Sequence, residues 1–85
     1  MVEKILVGEV THYYPRIGVA VVNLKERLRK GDKIEIEGKT TKLVQTVTSM
    51  QVEHVDIDVG EPGQLIGLKV EDRVREGDKV YKLIE

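Results

Sequence analysis

Leu28-Arg29-Lys30-Gly31-Asp32-Lys33-Ile34 is echoed near the other end of the chain by Val74-Arg75-Glu76-Gly77-Asp78-Lys79-Val80. Each copy runs from an apolar residue through a charged turn closed by Gly-Asp into a new apolar strand. Glycine takes the positive φ that a sharp reversal needs, and the aspartate side chain can bond neighbouring backbone amides there. Two such turns in 85 residues, each launching a β-branched strand, predict an all-β fold. The specific expectation is one domain over residues 1–85, folded as a small closed antiparallel barrel of six strands.

Outward from the first copy, Lys33 to Glu37 alternates, with Ile34 and Ile36 inward, and Gly38-Lys39 makes a tight hairpin. Thr40 to about Val55 reads as one long strand with a bulge near Ser49-Met50. Upstream, Val2 to Tyr14 alternates and Pro15 ends it, since proline cannot donate to a ladder. Ile17 to Leu24 is nearly all apolar, as in a strand buried on both faces or closing a barrel. Gly60-Glu61-Pro62-Gly63 is a strong turn. Gln64 to Val70 is a strand whose Gly67 suggests a bulge or a close backbone approach. The second Gly-Asp starts the last strand, Lys79 to Ile84.

There is no cysteine, so disulfides and thiolate metal sites are excluded. No apolar run reaches membrane-span length and no signal peptide is visible, so a cytoplasmic protein is expected. One Asn, one Ser and three Gln stand against 34% charged residues. Thermophile proteins show that balance, as does any small domain with a heavily charged surface. The net charge of −1 argues against a uniformly basic nucleic-acid surface. Residues 25–42 nevertheless carry a local +3 and residues 53–61 a local −4. Either both are solvated faces, or one pole meets an RNA or an acidic protein.

Gly18, Gly31-Asp32, Thr41, Ser49-Met50, Gly60, Gly63, Gly67, Val74, Gly77-Asp78 and Val80 together resemble a translation-factor β-barrel, the second domain of elongation factor Tu and other translational GTPases. Gly8-Glu9-Val10-Thr11-His12-Tyr13-Tyr14, Ile17–Val22, Ser49–His54 and Val74–Tyr81 resemble small stand-alone elongation-factor-like proteins. The resemblance implies docking on RNA, on tRNA or on a ribonucleoprotein such as the ribosome. The chain lacks the Gly-x-x-x-x-Gly-Lys-Ser/Thr phosphate loop, so no GTP binding is expected.

The binding candidates are Tyr13 and Arg16 beside Pro15, Met50 and His54, and the basic connection Arg27, Arg29 and Lys30, flanked by Lys25 and Lys33. Tyrosine and arginine can stack bases or grip phosphate. Bland alternatives stand beside each: Tyr14 packing in the core with Tyr13 capping it, and Met50 filling a gap at the bulge. Glu53, His54, Asp56 and Asp58 are spaced for a cation site but lack a ligand-gathering loop, and no metal or other cofactor is expected. Ser49 and His54 form no recognisable nucleophile arrangement. The expectation is a non-enzymatic module on RNA or a ribonucleoprotein; the alternative is a protein–protein adaptor for a separately encoded enzyme.

Overall fold

The two copies of the repeated phrase build the same device twice. The computed structural model describes residues 2–84. In the first copy the Arg29 amide donates to Asp32 Oδ2 at 2.9 Å and the Asp32 amide donates to the Arg29 carbonyl at 3.1 Å. In the second, the Arg75 amide donates to Asp78 Oδ2 at 2.8 Å and the Asp78 amide to the Arg75 carbonyl at 3.1 Å. Gly31 and Gly77 sit at φ of +96° and +91°, a region closed to most side chains. Each turn then clamps a valine from elsewhere through two backbone bonds of 2.8 Å. Gly31 N and Asp32 O hold Val47, and Gly77 N and Asp78 O hold Val10.

Around these clamps the described residues form ten strands: β1 (Glu3–Tyr14), β2 (Val19–Leu24), β3 (Leu28–Arg29), β4 (Lys33–Glu37), β5 (Lys42–Thr46), β6 (Met50–Val52), β7 (Val55–Ile57), β8 (Val59–Gly60), β9 (Leu65–Lys69) and β10 (Lys79–Ile84). Eight form one antiparallel sheet in the order β5-β4-β10-β1-β2-β9-β6-β7, and β3 pairs with β8 in a separate ribbon. The all-β reading holds, but the closed six-stranded barrel does not. Closure needs a ladder joining the two ends of the sheet, and β5 and β7 share none. The β3–β8 ribbon is linked to the β5 side through the Gly31 amide on the Val47 carbonyl, and its own ladder runs on through the Lys30 amide to the Asp58 carbonyl, each at 2.8 Å.

The single long strand expected over residues 40–55 is also corrected. Val47 leaves the line of β5 to enter its clamp, so the chain breaks before β6. It then reverses at Glu53-His54, since Val52 pairs with Val55. Both turn residues have positive φ, 50° and 66°, as a two-residue hairpin of matching twist requires. Such turns normally carry Asn-Gly, and Glu-His carries no such signal. Gly67 makes no bulge; its register with Val21 and Gln51 is unbroken.

β1 holds two register shifts, between Leu6 and Gly8 and between Val10 and His12. Each extra residue resets the alternation. Val7, Val10 and Tyr13 therefore all point inward, although simple alternation puts Val10 and Tyr13 on opposite faces. They join Val22, Leu24, Leu28, Ile34, Ile36, Met50, Ile66, Leu68 and Val80 in one apolar cluster. Two buried polar groups stitch that core. The Gln45 amide nitrogen donates to the Lys69 carbonyl and its oxygen accepts from the Glu71 amide, each at 2.8 Å. Glu35, only 5% exposed, accepts from Lys4 Nζ at 3.0 Å. That bond holds the Glu35 carboxyl below the usual carboxylate range and raises Lys4 above the usual amine value.

Candidate functional site

The outer face of β2, β9 and β6 is where the sequence leaves apolar surface in water. Val19 and Val21 on β2 face outward while Ala20 and Val22 fill the core. Gly67 lies opposite both Val21 and Gln51, so the middle of this face has no side chain. The result is a shallow groove of about 250 Å³. Its floor is Gly67, one wall is Val19 and Val21, and the other is Gln51 with the Glu53-His54 turn. Tyr14 and Ile17 close one end and Leu65 the other, at 47%, 57% and 58% exposure. Isolated exposed hydrophobics mean little; here several border one concavity.

The rim is held rigidly. Tyr14 meets the His12 ring edge-on, centroids 4.4 Å apart, and His12 Nδ1 lies 3.3 Å from Glu76 Oε2. Ile17 sits in a turn closed by the Gly18 amide to the Tyr14 carbonyl, 3.0 Å, and pinned by Lys69 Nζ on the Ile17 carbonyl, 2.7 Å. On the opposite rim, Glu53 and His54 hold left-handed backbone at a cost of about 1–2 kcal/mol per residue.

The binding candidates singled out in sequence do not come together, and of them His54 alone lines the groove, beside Glu53. Tyr13 packs against the core and Tyr14 is exposed, the reverse of the bland expectation, because the β1 register shift turns Tyr13 inward. Met50 is 1% exposed, a core residue with no contact surface to offer. Arg16 is exposed beyond the groove. Arg29 is exposed on β3, and its two neighbours face acids: Arg27 Nε bonds Glu61 Oε1 at 3.0 Å, and Lys30 Nζ lies 3.9 Å from Asp58 Oδ1. The local +3 and −4 segments thus meet each other across the β3–β8 ribbon. Glu53, Asp56 and Asp58 do not converge: Asp56 accepts from Gln51 at 3.0 Å, and Asp58 faces Lys30. Ile17, Gly67 and Leu65 were the residues missed. The signal was the apolar run Ile17–Leu24 itself, which is apolar on both faces because one lines the core and the other the groove.

The fold defines a small all-β module. No family model matches the chain. An uncharacterized protease of Methanocaldococcus jannaschii is 43% identical over 83 residues, covering 96% of this chain and 20% of that protein. A collagenase of Porphyromonas gingivalis is 35% identical over 82 residues, 94% of this chain and 20% of that one. The chain therefore spans about one fifth of the length of the curated relatives it matches. Among solved structures, the C-terminal domain of a Geobacillus thermoleovorans protein classed with the U32 peptidases superposes with a TM-score of 0.85 at 25% identity, covering 91% of this chain and 90% of that one.

These findings overturn the resemblance to elongation-factor barrels, and with it docking on RNA, tRNA or the ribosome. The motifs behind that resemblance, Gly-Asp turns and a Gly-rich reversal, are devices for turning short strands and carry no partner information. No helix among the described residues is long and apolar enough to cross a membrane.

Proposed function

We propose that this chain is a cytoplasmic, non-catalytic docking module that serves a U32-peptidase-type enzyme, its Tyr14–Ile17–Leu65 groove seating an apolar surface of the catalytic part. The supporting observation is the placing of the similarity. It covers nearly all of this chain but one fifth of protease-length relatives, and the fold matches a piece described as a C-terminal domain. The catalytic machinery of such proteins is then sought in the remaining four fifths. Rigid aromatic and β-branched walls suit a protein surface, because they give contact area at little cost in side-chain ordering.

The test is titration calorimetry of this chain against a U32-peptidase-type catalytic chain lacking its own C-terminal domain, with gelatin hydrolysis assayed in parallel. A complex is expected with wild type. Leu65→Glu and Ile17→Glu are expected to weaken it at least about tenfold, since each places a charge in a desolvated contact. Gly67→Leu is expected to block it by filling the floor, where a Cβ already comes within 3.3 Å of Val19 Cγ1. Gelatin hydrolysis by the purified module alone would refute the proposal, as would a complex indifferent to all three substitutions.

A further inference from the structure

Away from the groove, cations gather at the connection between β4 and β5 and the segment entering the second Gly-Asp turn. A cleft of about 240 Å³ runs between Thr40–Leu43 and Asp72–Arg75. Lys42, Arg73 and Arg75 line it, and Lys39 stands on the adjoining surface beside Thr40. All four side chains are exposed. Among the described residues none of them has a carboxylate within ion-pair distance, unlike Lys4, Arg27, Lys30, Lys79 and Lys82; Arg16, Lys25, Arg29, Lys33 and Lys69 are also without one but do not line this cleft. The acids nearby are already engaged. Asp72 Oδ1 accepts from the Arg73 amide at 2.7 Å, and Asp78 is buried on the Arg75 amide. Three of these cations thus face one concavity, with Asp72 as the acid on its lining.

Arg73 and Arg75 also line a second hollow, with Tyr13, Pro15 and Val74. The two hollows are joined through these arginines, and each has an apolar flank, Leu43 on one side and Tyr13 with Pro15 on the other. We infer that this track binds a carboxylate-rich segment of a protein partner, its acids on Arg73, Arg75 and Lys42 and its apolar side chains against Tyr13, Pro15 and Leu43. The guanidinium fork matches a carboxylate bidentately. Charge complementarity chooses the occupant, and the texture of the site favours peptide over nucleic acid. The basic row is short, three side chains around one cleft, whereas a phosphate backbone is tracked by a longer positive groove with aromatic platforms along it. The inference is independent of the groove: it concerns another face and another ligand chemistry.

The experiment is fluorescence anisotropy with a labelled peptide of mixed Glu, Asp and Leu, titrated with the whole chain at low and high salt. Binding is expected, weakening as salt screens the pairs. Arg73→Glu with Arg75→Glu should reduce affinity at least about tenfold, and the Gln pair should do so by a smaller factor. Both arginines are exposed, so the variants should keep the wild-type melting temperature. Arg27→Glu with Lys30→Glu, an equal change of charge at the acid-faced ribbon, should leave affinity within about twofold, the residual long-range effect. Four results would overturn the inference: no binding by wild type, equal loss in the ribbon variant, displacement of the peptide by an oligonucleotide of matched charge at equal concentration, or concentration-dependent self-association of the wild type that the Arg73/Arg75 variant abolishes.

Discussion

The two Gly-Asp turns share a sequence phrase, a hydrogen-bond pattern and a clamped valine, yet they live in different surroundings. Around the first, Asp32 is half-exposed and lies 3.5 Å from Lys82, while Lys30 beside it faces Asp58. Around the second, Asp78 is 5% exposed and packs beneath Gly38, while Arg73 and Arg75 find no acid. The first turn is a surface joint at which Lys30 and Asp32 each meet an opposite charge, while Arg29 and Lys33 do not. The second is a buried joint that turns its unmatched cations outward. Local sequence sets the backbone device, and the strand packed over it decides whether that device is structural filler or leaves charge for a partner.

The largest expected effect tests the burial of the second turn. A Cβ at Gly38 would overlap the Asp78 carboxylate, which cannot swing away without releasing the Arg75 amide. Gly38→Ala should destabilise by about 2–3 kcal/mol in urea unfolding, the overpacking range. Gly38→Ala with Asp78→Ala should cost less than the two added, because removing the carboxylate also removes the clash. Additivity would mean that the two residues do not touch. Next comes the paired comparison. Asp78→Ala leaves a buried amide without its acceptor and should cost about 2 kcal/mol. Asp32→Ala exposes the Arg29 amide to water and should cost about half that, roughly 1 kcal/mol. Equal losses would show that burial does not distinguish the turns.

The turns were legible in the sequence because glycine and aspartate announce both the φ they need and the bond they make. So were the strands Lys33–Glu37 and Lys79–Ile84, where strict alternation and a fixed start left one register. The reversal at Glu53-His54 was not legible: neither residue prefers positive φ, and only the pairing of β6 with β7 and β9 imposes it. Tyr13 and Tyr14 could not be sorted, because an extra residue near Thr11 exchanges their faces and nothing in Thr-His-Tyr-Tyr marks it. The basic candidates failed for a similar reason. Arg27 and Lys30 are separated in sequence from Glu61 and Asp58, and only the β3–β8 ribbon brings them together. Arg73 and Arg75 are likewise brought to one cleft with Lys42 only by the fold. Closure was over-read because strand count says nothing about whether the last ladder forms.

The smallest effect sharpens the comparison through pH. Just after the second aspartate, Lys79 lies opposite Glu9 on β1 and pairs with it. Lys33, at the same step of the first turn, has no such pair among the described residues. The hydrogen bond and charge of Lys79 hold the Glu9 carboxyl below the usual carboxylate range. A carboxyl depressed in the folded state stabilises fully above its unfolded value, and that contribution fades as pH falls through the depressed value. Lys79→Met should therefore lower the melting temperature near neutral pH, and the difference from wild type should close once acid has protonated Glu9. Lys33→Met should show no such pH-dependent gap. The shift at neutral pH should be smaller than any change above, because the two paired side chains keep 43% and 38% of their surface in water, where screening is strong. A gap that persists in acid would mean that Lys79 braces the turn through its aliphatic stem rather than its charge. The second joint would then differ from the first in packing alone.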